Sequence, residues 1–89
     1  MVRDGEYVAI FNSIHRVMKA EKLLKGLSLP VLLIPAPRAL TSDCGLAIRY
    51  DESNRGEVEC ALAEATLIPE DTYRKSGEEF VRVTDNFLP

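Results

Sequence analysis

Five consecutive apolar side chains, Tyr7-Val8-Ala9-Ile10-Phe11, constrain this chain more than any other feature. In an extended segment Tyr7, Ala9 and Phe11 project to one side and Val8 and Ile10 to the other. A strand over Glu6–Phe11 is then apolar on both faces and belongs inside a sheet. Asn12 and Ser13 follow with helix N-cap chemistry. From Ile14 the apolar spacing turns helical, with Ile14, Val17, Met18, Ala20, Leu24 and Leu27 forming a stripe. Gly26 is the natural residue to leave the helix, and Pro30 blocks continuation.

The pattern then repeats in a different order. Val31–Ile34 is a second strand with both faces apolar, ended by Pro35 and Pro37, which cannot donate to a ladder. Ala36–Cys44 is a polar loop closed by Gly45, and Leu46–Tyr50 is a third strand. Asn54 and Glu57 have capping-box spacing before a second helix, whose stripe is Val58, Ala61, Leu62 and Ala65. Asp71–Lys75 and Glu79–Val83 flank Ser76-Gly77 as a fourth strand or a terminal hairpin. The order β-α-β-β-α-β predicts an α+β, ferredoxin-like sandwich: two helices on one face of an antiparallel sheet of order 4-1-3-2, with an extra C-terminal strand if the hairpin forms. Residues 1–83 form one domain and 84–89 a tail. In this topology the Asn12–His15 turn and the Pro35–Gly45 loop leave the same end of the sheet and face each other.

Composition narrows the function. Eighty-nine residues make one small domain with a thin core. The longest apolar stretch, Leu29–Ala36, is broken by proline and far too short for a membrane span, and nothing resembles a secretory leader. A cytoplasmic location is the expectation. Two cysteines without CxxC spacing and one histidine argue against a disulfide framework and a metal site. Residues 1–50 carry seven bases and four acids, a balance of +3; residues 51–89 carry four bases and ten acids, a balance of −6. A basic first half suits an anionic ligand, although solvated faces explain it equally. Nucleic-acid binding is disfavoured: the third strand offers an aromatic, Tyr50, only at its end, and the sequence pI is about 5.1.

Cys44 is the side chain with the most chemistry. It ends a polar loop just before Gly45, and cations beside a thiol favour the nucleophilic thiolate. Arg38 lies in the same loop, held by Pro35 and Pro37, and offers a bidentate grip on a carboxylate or phosphate. His15 and Arg16 lie in the first helical turn, where Ser13 and free backbone N–H groups also favour anions. A small buried thiol is the plainer reading of Cys44, and a salt bridge the plainer reading of Arg38. Cys60, beside the second helix's stripe, reads as a packing residue.

The run His15-Arg16-Val17-Met18-Lys19-Ala20-Glu21-Lys22-Leu23-Leu24, then Ile34-Pro35-Ala36-Pro37-Arg38, then Ser42-Asp43-Cys44-Gly45, resembles a family of small bacterial domains described as selenium/sulfur carrier-like. The resemblance spans about residues 6–75. It implies a carrier rather than a turnover enzyme, in which a cysteine holds sulfur or selenium as a persulfide or selenosulfide. Carried onto this sequence, that residue is Cys44, with Gly45, Ser42, Arg38 and His15 around it; Ser13, at the helix N-cap, is the further ligand-binding candidate that the helix start itself offers. The implied partners are sulfur or selenium donor and acceptor proteins, with no cofactor, no nucleic acid and no membrane. The alternative is a non-catalytic anion-binding or regulatory module built on Arg38, His15 and the helix N-terminus.

Two helices cover one face of the sheet, so either Val8 and Ile10 or Tyr7, Ala9 and Phe11 need another cover. A homodimer through the open sheet face is the expected solution; Phe80, Val81, Phe87 and Leu88 folding over it is the other.

Overall fold

The computed structural model describes residues 2–40 and 45–83. Their elements are β1 (Tyr7–Ile10), α1 (Ile14–Gly26), β2 (Leu32–Pro35), β3 (Leu46–Tyr50), a 3-10 turn (Glu52–Asn54), α2 (Arg55–Glu64), β4 (Asp71–Ser76) and β5 (Glu79–Val83). All strand pairings are antiparallel and the order is β2-β3-β1-β4-β5. This is the ferredoxin-like arrangement expected, extended by β5. Pro35 is the last residue of β2 rather than the residue beyond it. It is tolerated because β2 is an edge strand pairing with β3 alone.

The doubly apolar β1 lies at the centre of the sheet and is buried on both faces. Tyr7, Ala9 and Phe11 meet Val17, Ala20 and Leu24 of α1 and Val58 and Leu62 of α2. The buried stripe of α1 is narrower than the spacing suggested. Ile14 is 43% and Met18 46% exposed, because both lie on the flank away from the sheet.

Val8 and Ile10 belong to a second core with Ile34, Leu40 and Ala47, flanked by Val2, Ala36, Tyr73 and Phe80. Val8 is 0% and Ile10 1% exposed within a single chain. This removes the reason for expecting a dimer through that face: the segment after β2, the N-terminal segment and the β4–β5 hairpin already flank it. Phe80 takes part as expected, Val81 is half exposed, and Phe87 and Leu88 lie outside the described residues.

Both helices end in the same way, and not on glycine. Gly26 is the last helical residue of α1, and the left-handed position falls on Ser28, at φ 62°. After α2 it falls on Thr66, at φ 59°. Around Ser28 the Leu29 N–H reaches the Leu24 carbonyl and the Ser28 N–H that of Lys25, both at 3.0 Å. Around Thr66 the Leu67 N–H reaches Leu62 at 2.9 Å and the Thr66 N–H reaches Ala63 at 3.1 Å. These are Schellman closures, sealed by burial of Leu24, Leu62 and Leu67. A left-handed non-glycine residue costs about 1–2 kcal/mol. Ser28→Gly and Thr66→Gly are therefore each expected to raise stability by roughly 1 kcal/mol, with the larger gain at β-branched Thr66. Urea denaturation of the two variants checks this; unchanged midpoints would show that the closures carry no strain.

Candidate functional site

The described site residues singled out in the sequence, Ser13, His15, Arg38 and Gly45, fall at one end of the sheet but in different layers. Ile10 pairs with Ala47, and Ala47 with Ile34, so the exits of β1 and β2 and the start of β3 share that end. From it α1 runs back over the Tyr7–Phe11 face. The segment after β2 instead turns under the opposite face, where Ala36 and Leu40 pack. The sheet thus separates α1 from Leu40, and among the described residues no hydrogen bond or ion pair joins His15 to Arg38.

Each described residue has a definite setting. Ser13 is the α1 N-cap, and its Oγ accepts the Arg16 N–H at 3.2 Å. His15 is exposed in the first turn of α1. Arg16 turns away to α2, where its Nη2 donates to the Thr66 carbonyl at 3.1 Å. Arg38 is exposed on a tight turn closed by the Leu40 N–H on the Pro37 carbonyl at 3.0 Å, and it pairs with no described carboxylate. Gly45 closes the neck of the loop: its carbonyl accepts the Ala36 N–H at 3.0 Å, and its φ of 73° is open to glycine at no steric cost. Cys44 and Ser42 lie outside the described residues. Next to the Arg38 turn, an open groove of about 290 Å³ runs between Val2, Pro37, Lys75 and Phe80. The Lys75 ammonium lies 4.6 Å from the centre of the Phe80 ring.

Cys60 corrects its reading as a packing residue: it is exposed, with its Sγ 3.8 Å from Glu64 Oε2. The expected Asn54–Glu57 capping box also does not form, since Asn54 makes no side-chain cap bond. α2 is anchored instead by a half-buried polar cluster that the sequence alone did not reveal. The Tyr7 hydroxyl donates to Glu52 Oε1 at 2.7 Å and accepts from Arg55 Nη1 at 2.9 Å. Arg55 Nε also donates to Glu59 Oε2 at 3.1 Å, and the Tyr50 hydroxyl donates to the same oxygen at 3.3 Å. The Tyr7 and Tyr50 rings stack at 5.6 Å, and the Arg55 guanidinium lies 4.7 Å from the centre of the Tyr7 ring. Glu59 is only 5% exposed. The sequence signal was the Arg55–Glu59 i,i+4 spacing on α2, which carried no weight until the sheet placed Tyr7 opposite Tyr50.

This cluster sits at the opposite end of the sheet from the loop and supports structure rather than chemistry. Burial, reinforced by the carboxylates, raises both phenols: Tyr7 with Glu52 and Tyr50 with Glu59. Neither is activated as a nucleophile. Burial opposes the Arg55 charge, but Glu59 and its other anionic neighbours outweigh it and raise that group as well. Groups whose folded pKa is raised stabilise the fold fully below their unfolded value, here 10.0 for tyrosine, and progressively less above it. In a Tyr73→Phe background the two remaining tyrosines are expected to ionise only as the chain unfolds in alkali. Tyrosinate absorbance followed beside far-UV circular dichroism measures this; ionisation ahead of unfolding would contradict it.

The described residues thus form a small α+β sandwich with an exposed arginine on a proline-braced loop and an exposed histidine at a helix start, and none of their helices is long and apolar enough to cross a membrane. The family model described as "Putative Se/S carrier protein-like" matches residues 6–74, from the lead into β1 through most of β4, and the chain belongs to that family. No curated protein and no solved structure matches it.

Proposed function

We propose that the protein carries sulfur or selenium on the Cys44 thiol and passes it from a donor protein to an acceptor. The family membership over residues 6–74 is the observation that supports this reading. The Cys44 thiolate attacks the outer sulfur of a donor persulfide, R–S–SH. The donor S–S bond breaks as the new one forms, R–S⁻ leaves, and the proton stays on the transferred sulfur, giving Cys44–S–SH. No electron is gained or lost overall, so no redox cofactor is called for. A selenium donor gives the selenosulfide by the same exchange. Arg38, exposed and unpaired among the described residues, supplies a cation for the anionic sulfur. His15 and the α1 N-terminus, capped by Ser13, leave the same end of the sheet as the loop. In this reading Gly45 gives the loop neck its left-handed turn and Ser42 contributes a hydroxyl.

Incubation with a persulfide donor, followed by intact-mass analysis, tests the proposal. The wild type is expected to gain one sulfur, Cys44→Ser none, and Cys60→Ser as much as wild type. Arg38→Ala is expected to slow loading about tenfold, the loss of one exposed to half-desolvated charge contact of about 1.4 kcal/mol. Labelling of Cys44→Ser at the wild-type level would sink the proposal.

A further inference from the structure

We infer that the outer face of the helical layer is a self-complementary docking surface for a second copy of this chain. The two helices are antiparallel neighbours: Arg16, in the first turn of α1, reaches the Thr66 carbonyl just beyond the end of α2. Their outward faces carry opposite charge. On α1, His15, Lys19 and Lys22 fall at i, i+4 and i+7 and are all exposed. On α2, Glu57, Cys60 and Glu64 fall at i, i+3 and i+7 and are all exposed. None of these lysines or glutamates forms an ion pair with a described residue; the ion pairs among the described residues are Lys25–Glu21, Arg49–Glu6, Arg55–Glu59 and Arg82–Asp71. Both stripes point outward from one layer, so they do not neutralise each other within the chain.

A two-fold axis parallel to the helices, lying over the middle of the layer, solves this geometry. Such an axis leaves height along the helices unchanged and exchanges left for right. It therefore lays α1 of one copy antiparallel on α2 of the other, twice, with Lys19 and Lys22 over the Glu57–Glu64 stripe. Ile14 and Met18, nearly half exposed, lie on the flank of α1 beside that basic stripe. On the sheet's other face Val8 and Ile10 are already buried within the single chain. Helices of 13 and 10 residues are about 20 and 15 Å long, so the contact falls at the small end of specific interfaces. The association is accordingly weak and held largely by exposed charges, which salt screens over about 8 Å at physiological strength.

Charge reversal tests it. Lys19→Glu/Lys22→Glu makes both helices acidic, and Glu57→Lys/Glu64→Lys makes both basic; all four positions are exposed, so the fold is retained, as circular dichroism checks. In sedimentation at low salt the wild type is expected to self-associate, with affinity falling about tenfold or more on going to roughly 0.5 M salt. Each reversed variant alone is expected to run as a 9.9 kDa monomer, and their equimolar mixture to recover the dimer. A wild type that stays monomeric at millimolar concentration overturns the inference. So does a mixture that stays monomeric, or reversed variants that dimerise as well as wild type. Persulfide loading of Cys44 is read separately and does not depend on the outcome.

Discussion

Arg55→Ala is expected to destabilise the protein by about 3 kcal/mol, a large share of what a small domain possesses. The Arg55 guanidinium satisfies the Glu59 carboxylate, the Tyr7 hydroxyl and the Tyr7 ring face at once. Its removal leaves Glu59, with a side chain only 6% exposed, as a charge without its cation. Breaking a buried pair from one side costs about 3–5 kcal/mol, and the 24% exposure of the Arg55 side chain places this case at the lower end. For a chain of this length the loss lowers Tm by roughly 12–24 °C. Urea denaturation of Arg55→Ala, Glu59→Gln and the double variant gives the coupling directly. The double variant is expected to recover part of the loss, since a neutral amide needs no cation. A cost under about 1 kcal/mol for Arg55→Ala would show that water reaches Glu59. Exposed Glu57 on the same helix is the control, with Glu57→Ala expected within about 0.5 kcal/mol of wild type.

Leu40→Ala is expected to cost about 2–3 kcal/mol and to loosen the loop that leads to Cys44. Leu40 is 8% exposed and packs with Val8, Ile10, Ile34 and Ala47 on the sheet face opposite α1 and α2. Truncation removes the one large side chain that the described part of this loop contributes to that core. The cost sits at the low end of large-to-small core changes because the gap opens towards solvent. Faster hydrogen exchange is expected at the Ala36 and Leu40 amides, which bond to Gly45 and Pro37, with little change in β3. Dye binding to exposed apolar surface should rise as Val8 and Ile10 become accessible. Unchanged exchange at Ala36 and Leu40 would mean that Pro35 and Pro37 hold the loop without the Leu40 anchor.

The element order, the sheet order and the central, doubly buried place of β1 were legible in the sequence; which of its faces meets the helices was not. They follow from local rules: a doubly apolar run is a central strand, a 3.6-residue stripe is a surface helix, and prolines mark strand ends. The resemblance carried by His15–Leu24, Ile34–Arg38 and Ser42–Gly45 likewise pointed to the family that the chain belongs to. Three features needed the tertiary structure. The cover over Val8 and Ile10 was unreadable because Leu40 is a single apolar residue in a loop, and only the path of that loop shows which face it reaches. That path also put Leu40 and α1 on opposite sides of the sheet, where connectivity alone had set the loop and the His15 turn face to face. The Tyr7–Tyr50–Arg55–Glu59 cluster joins residues up to 52 positions apart, and no short-range pattern reports that a charged helix residue is buried. The burial of Glu59 and the exposure of Met18 and Cys60 have the same cause. A helical stripe fixes which residues share a face, but the rotation of that face against the sheet is set by packing across the whole core.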